Sequence, residues 1–242
     1  MIQIFPAIDL IGGRVVRLYQ GDYARETVYS DDPCAIARGF IASGAKYLHL
    51  VDLDGAREGT AANFETIAAL ARQGGLYMEL GGGIRSEERI EQYLELGVDR
   101  CILGTVAVQD FDFTARMAKK YGEKIAVGVD ARDGFVAIKG WKELSAERGI
   151  DFCRRLRDAG VQTVIYTDIS RDGAGLGTNM EVYEQLREIK GLRITASGGV
   201  GSMEEIAALE AMGVSAAILG KAIYSGALDL AAVIRGFPQG EG

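Results

Sequence analysis

The stretch GGIRSEERIEQYLELGVDRCILGT (residues 82–105) aligns without a gap on GGVGSMEEIAALEAMGVSAAILGK (residues 198–221). Ten of the 24 aligned pairs are identical, where chance would supply about one or two. Both copies read as a glycine loop, a serine that opens a helix, a short apolar strand and a second glycine loop. The same offset of 116 relates Asp52 to Asp168 and Asn63 to Asn179, and nearly the same spacing relates Asp54-Gly55-Ala56 to Asp172-Gly173-Ala174. Asp9 stands 121 residues before Asp130, and 121 is half of 242. The chain therefore reads as two similar halves, approximately 1–121 and 122–242, making one domain over 1–242. The repeat is too long for a solenoid, and no linker separates the halves.

Working outward, short β-branched runs alternate with longer helical patterns. Strands are expected at Ile2–Asp9, Tyr47–Asp52, Tyr77–Leu80, Arg100–Leu103, Lys124–Asp130, Thr163–Asp168, Arg193–Ala196 and Ala216–Leu219. Helices are expected near 33–43, 63–73, 86–96, 110–121, 145–159, 179–189, 202–212 and 228–235. Asp32-Pro33 reads as an N-cap followed by the first helical residue, and Ser202-x-x-Glu205 as a capping box. The first and fifth strands run on into hairpins at Gly12-Gly13 and Asp133-Gly134. Eight strand-then-helix units in 242 residues match a closed α/β architecture, the (β/α)8 TIM barrel, here built from two similar half-barrels.

Composition narrows the chemistry. The net charge of −7 offers no basic face to nucleic acid, so an anionic ligand needs local, shaped sites. The longest uncharged runs, Ile194–Met203 and Ala211–Gly220, are far short of the roughly 18 residues a membrane helix needs. Met1–Leu10 lacks the basic start and cleavage site of a secretory leader. Three separated cysteines suit a reducing cytoplasm and form no metal knuckle. A single histidine, His49, excludes His-rich zinc sites and paired-histidine acid–base chemistry, so neither metal nor cofactor is expected and proton transfer falls to carboxylates. Glycine, at 33 residues, is about twice its usual 7% share, which points to tight turns and close backbone approaches.

In such barrels the working face is formed by the loops that follow the strands. Gly81-Gly82-Gly83-Ile84-Arg85 follows the third strand, and Gly104-Thr105 the fourth. Their repeats, Ser197-Gly198-Gly199 and Gly220-Lys221, follow the seventh and eighth. Bare glycines before a helix leave N–H groups free to cradle phosphate. A glycine loop can also be a plain connection, but two copies in symmetric positions favour two anion sites and hence an elongated bisphosphate. Asp9 and Asp130 each end an apolar strand, where partial dehydration can hold a carboxyl as an acid or leave it as a base. Capping the next turn is the alternative for them, and equally for Asp52, Thr167, Asp168 and Asp172. His49 reads as a core histidine or a site residue, Trp141 as a stacking or a packing residue. Arg17 reads as an anion ligand or a surface charge.

These residues resemble a known family. Phe5-Pro6-Ala7-Ile8-Asp9-Leu10, Arg14-Val15-Val16-Arg17-Leu18-x-Gln20-Gly21, Val51-Asp52-Leu53-Asp54-Gly55-Ala56, Gly81-Gly82-Gly83-Ile84-Arg85, Tyr166-Thr167-Asp168-Ile169-Ser170-Arg171-Asp172-Gly173 and Ser197-Gly198-Gly199-Val200 follow its pattern in order. The chain is similar, almost end to end, to the isomerases of histidine biosynthesis that rearrange the phosphoribosylformimino form of aminoimidazole carboxamide ribotide. The sister cyclase has Cys-Leu-Asp where Pro6-Ala7-Ile8-Asp9 stands and lacks the Val-Asp-Leu-Asp-Gly-Ala signature. One departure lies in Ala174–Asn179, where many members have a proline before the asparagine.

The resemblance implies a cofactor-free Amadori rearrangement of an aminoaldose into an aminoketose. It implies Asp9 as the base, Asp130 as the acid and Thr167 as their helper at the ribose. It also implies Arg17, His49, Trp141 and Asp172 in substrate binding, with Trp141 stacked on the aminoimidazole. Phosphate binding falls to Gly82, Gly83, Arg85, Gly104 and Thr105 at one end, and to Gly177, Ser197, Gly198, Gly199, Gly220 and Lys221 at the other. The expected partner is a small bisphosphate, and the expected setting the cytoplasm; a monomer is favoured, but the sequence does not fix the oligomeric state. A bifunctional relative that also isomerises phosphoribosylanthranilate is the alternative. A barrel that only binds phosphorylated metabolites is a third reading, and intact Asp9 and Asp130 argue against it.

Overall fold

The computed structural model describes residues 1–240. Twelve strands occur among them: β1 (Gln3–Ile11), β2 (Arg14–Tyr19), β3 (Asp22–Ser30), β4 (Tyr47–Asp52), β5 (Tyr77–Gly81), β6 (Arg100–Leu103), β7 (Ile125–Arg132), β8 (Phe135–Ile138), β9 (Glu143–Arg148), β10 (Thr163–Asp168), β11 (Arg193–Ser197) and β12 (Ala216–Leu219). Eight of them pair in parallel around a ring, β1-β4-β5-β6-β7-β10-β11-β12, and β12 returns to β1. This is the closed (β/α)8 barrel. Pairing of β1 passes from β12 to β4 between Pro6 and Ala7. Pro6, which has no N–H to give a ladder, sits at that handover.

The helices Pro33–Ala42, Phe64–Gln73, Glu87–Glu95, Phe111–Tyr121, Gly149–Asp158, Met180–Leu186, Met203–Ala211 and Leu230–Gly236 separate consecutive ring strands and close the chain. Their starts carry the anticipated chemistry. Asp32 accepts from the Ala35 N–H with Pro33 next to it, and Ser202 and Glu205 form a complete capping box. The strands' outer faces meet the helices in one large apolar core. Inside the ring, Phe5, Ala7, Ile102, Ala126, Ile165, Ala216 and Ile218 form a smaller core, as expected where alternate residues of each strand point inward. None of the helices described is long and apolar enough to cross a membrane.

Two departures stand out. The helix expected over 145–159 begins only at Gly149, because Glu143–Arg148 is β9. That strand pairs with β8 alone and is largely exposed, so no apolar period marks it. β2–β3 extends from β1, and β8–β9 from β7, as antiparallel arms. The two arms thus occupy equivalent places in the two halves. Short helices at Leu53–Glu58, Thr105–Gln109 and Lys221–Tyr224 are too brief to announce themselves by periodicity.

Candidate active site

At the ends of the ring strands lies a cavity of about 230 Å³ lined by Asp9, Arg17, His49, Asp130, Trp141, Thr167 and Asp172. Strand register builds its floor. Asp9 is level with Val51, and Val51 with Gly81; Asp130 is level with Thr167, and Thr167 with Ser197. Asp9 on β1 and Asp130 on β7 thus hold equivalent places in the two half-barrels, four strands apart in a ring of eight.

The two carboxylates have different partners. The Arg17 guanidinium, brought over by β2, pairs with Asp9 at 2.8 Å and stands 4.0 Å from Asp172. Asp130 accepts the Trp141 indole N–H at 2.8 Å. Burial pushes the Asp130 carboxyl above its usual range, and hydrogen bonds from Trp141 and Thr167, with His49 nearby, oppose this only in part. Trp141 has φ 68, and Gly21 lies so close under its ring that a Cβ there would stand 2.4 Å from a ring carbon. The β2–β3 turn thus holds the indole over the acid.

The glycine loops repeat in atomic detail. Gly104 has φ −103 and ψ −108, Gly220 φ −104 and ψ −107. Gly82 and Gly83 pack on the carbonyls of Asp52 and Gly55; Gly198 and Gly199 pack on those of Asp168 and Gly177. The supporting networks match too: Asn63 donates to Asp52 and Asn179 to Asp168, each at 2.7 Å. Asp52 also caps the Leu53–Glu58 helix through the Gly55 N–H. Asp52 and Asp168 hold the loops and do not line the cavity.

The two sets are not equally exposed to it. Gly82, Gly83, Arg85, Gly104 and Thr105 line the cavity, but of the second set only Ser197 does. Gly177, Gly198, Gly199, Gly220 and Lys221 lie outside its wall. The Arg17 guanidinium rests against Gly220, and Lys221 Nζ donates to the Gly173 carbonyl at 2.8 Å. In the first set, Thr105 Oγ1 accepts the Lys139 N–H, and Arg85 donates to the Ala56 carbonyl. Sequence reasoning passed over Glu79, which meets His49 Nδ1 inside the barrel, and Arg100, which donates to Glu79. Their only signal was a charged residue within each of two short, otherwise apolar strands.

Asp172 supplies a stability test. Burial, with Asp9 and Asp130 adding to it, pushes its carboxyl up to about 6 against Arg17 and His49. A carboxyl whose pKa is raised by folding stabilises the fold only while protonated. That contribution is complete below about pH 4 and lost as pH rises through about 6. Asp172→Asn is therefore expected to raise Tm at pH 8, leave it nearly unchanged at pH 4 and flatten the profile between. At about 1.4 kcal/mol per pKa unit the gain is bounded near 3 kcal/mol. A lower Tm at pH 8 would contradict the assignment.

Residues 3–229 match the family model described as "Histidine biosynthesis protein". A protein of Brachyspira hyodysenteriae is 50% identical over 231 residues, covering 96% of this chain and 97% of its own. Relatives from Listeria monocytogenes and Chloroflexus aurantiacus are each 46% identical, over 96% and 95% of this chain and 97% and 95% of their own. All three are named 1-(5-phosphoribosyl)-5-((5-phosphoribosylamino)methylideneamino)imidazole-4-carboxamide isomerase. With matches of this extent over the barrel and both glycine-loop repeats, the chain belongs to the histidine biosynthesis protein family.

Proposed function

We propose that the chain catalyses the isomerisation for which these relatives are named, an acid–base Amadori rearrangement of the aminoaldose to the aminoketose. The observation that carries it is the pair Asp9 and Asp130, on opposite strands of one cavity flanked by repeated glycine loops. The Asp130 carboxyl, which burial favours in its protonated form, gives its proton to the ribose ring oxygen as the C1′–O bond breaks. The substituted nitrogen's lone pair forms the C1′=N bond. Asp9 takes the proton from C2′, and the electron pair moves to make an enolamine. Returning a proton to C1′ and releasing the C2′ hydroxyl proton gives the ketone. C1′ is reduced and C2′ oxidised within one molecule, so no external redox partner enters.

Thr167, level with Asp130, helps orient the ribose, and Arg17 and Asp172 hold its hydroxyls. Trp141 stacks on the aminoimidazole and His49 faces the reacting sugar. The loops around Gly82–Arg85 and Gly104–Thr105 take one phosphate, and those around Gly177, Ser197–Gly199 and Gly220–Lys221 the other. The halves 1–121 and 122–242 then work as one domain on one small bisphosphate, in the cytoplasm. The relatives' name covers the histidine-pathway reaction and gives the bifunctional alternative no specific support. The test is turnover by purified protein: conversion of the ribotide is expected, and none of phosphoribosylanthranilate. Failure to convert the ribotide refutes the reading.

A further inference from the structure

At the cavity floor, three polar side chains on adjacent strands link at one level of the barrel. His49 on β4 is in register with Glu79 on β5, and Glu79 with Arg100 on β6. Glu79 is fully buried. Its Oε1 lies 2.7 Å from His49 Nδ1, and its Oε2 accepts from both Nε (2.9 Å) and Nη2 of Arg100. The Phe5 and Tyr77 rings flank the guanidinium.

The other half of the barrel shows what the fold itself requires here. At the equivalent rungs, in the same register across β10, β11 and β12, stand Ile165, Thr195 and Ala216. A barrel wall at this level is thus built without charge in one half and with three polar links in the other. Burying an ion pair seldom improves stability over apolar packing of similar volume. The links therefore answer a need other than folding, and their upper end is a ring that lines the cavity.

We infer that Glu79 is a positioning residue that fixes the tautomer of His49, keeping the proton on Nδ1 and presenting the bare Nε2 to the substrate. An ionised carboxylate has only acceptor sites, so Nδ1 must donate. Burial alone would raise the Glu79 pKa, but Arg100 and the bond from His49 outweigh it and hold the carboxyl below its usual range. Arg100 acts through Glu79, supplying the positive charge that keeps it ionised. Nε2 then accepts a hydrogen bond from a sugar hydroxyl in the cavity that His49 lines together with Asp130 and Asp172. This deepens the proposed isomerisation and rests on it for the role of Nε2.

The chain's only histidine makes the test direct. In protein with 15N-labelled histidine, at a pH where the ring is neutral, Nδ1 is expected to resonate as a protonated nitrogen and Nε2 as a bare one. Glu79→Gln should reverse this. Arg100 claims the amide oxygen with its two donors, the amide NH2 turns to Nδ1, and the proton moves to Nε2. The same variant should lose about tenfold or more in kcat with KM little changed, as when outer partners of a site histidine are removed. The double variant Glu79→Met/Arg100→Met removes the buried pair together, guards against a folding failure and should also release the Nδ1–H preference. A wild-type ring protonated on Nε2 overturns the proposal, with or without turnover. So does a Glu79→Gln protein that keeps the Nδ1–H tautomer, or one that reverses it without losing kcat. The spectrum needs no substrate, so it separates failure of this inference from failure of the functional reading.

Discussion

Asp9→Asn and Asp130→Asn are each expected to lower kcat by at least about 100-fold and to leave KM nearly unchanged. Asparagine keeps the size of the side chain and an acceptor oxygen. At position 130 that oxygen can still take the Trp141 indole N–H, so the wall of the cavity survives the change. At position 9 the amide oxygen can still face Arg17. What each variant loses is proton exchange, which is worth roughly 10²–10⁴-fold in rate. Ground-state binding comes chiefly from the two phosphates, remote from the reacting carbons, so KM has little reason to move. Asp172→Asn is the internal comparison. Its carboxyl is also pushed up, to about 6, but it stands beside Arg17 in the loop after β10 and not on a ring strand. It should lose less rate than either. Steady-state kinetics on the three variants decide the matter. Near-normal kcat for Asp9→Asn or Asp130→Asn ends the pairing, and a larger loss at Asp172 transfers the acid's role to it.

All eight ring strands and their following helices were legible in the sequence, because each strand is a short apolar run and each helix buries a periodic face. The hairpins at Gly12-Gly13 and Asp133-Gly134 were legible from turn chemistry, and β1–β2 and β7–β8 turn there. The third strands of the arms were not. Glu143–Arg148 is largely exposed and has a strand partner on one side only, so the helix formers Ala146 and Glu147 read as the start of the helix over 145–159. In the site, Asp9, Arg17, His49, Asp130, Trp141, Thr167 and Asp172 gather in one cavity. That gathering depends on residues far apart in sequence arriving at the same end of the barrel, which the internal repeat makes visible for Asp9 and Asp130. No repeat signals the His49–Glu79–Arg100 links, since their mates are Ile165, Thr195 and Ala216. Register is needed to see them. The screening of Gly220 by Arg17 was likewise beyond reach, because the side-chain path of a hairpin residue is set by tertiary packing.

The glycine loops are expected to tolerate no side chain. Gly82 has φ 106, and a Cβ there would stand 2.1 Å from the Asp52 carbonyl oxygen; Gly198 has φ 86, with a Cβ 2.6 Å from that of Asp168. In both cases the obstacle is backbone, which cannot swing aside like a side chain. Gly82→Ala therefore adds a left-handed-region penalty of about 1–2 kcal/mol to an overpacking cost of about 1–3 kcal/mol. A Tm loss of at least about 4 °C is expected for a domain of this size, on the order of 2–4 °C per kcal/mol. Gly198→Ala should follow with a smaller loss, since its collision is less severe. Gly39→Ala is the control, on the exposed face of the Pro33–Ala42 helix with nothing near the added carbon. It should gain about 0.5–1 kcal/mol. The stability readout tests the packing; the KM readout tests the anion sites. Gly82 lines the cavity and Gly198 does not, so a bare cavity-wall role would raise KM in the first variant alone. If both loops grip a phosphate, both variants raise KM, and each weakens protection of the fold by added inorganic phosphate. A Gly198→Ala protein with unchanged KM and undiminished phosphate protection would remove the second anion site, and with it the case for a bisphosphate spanning both halves of the barrel.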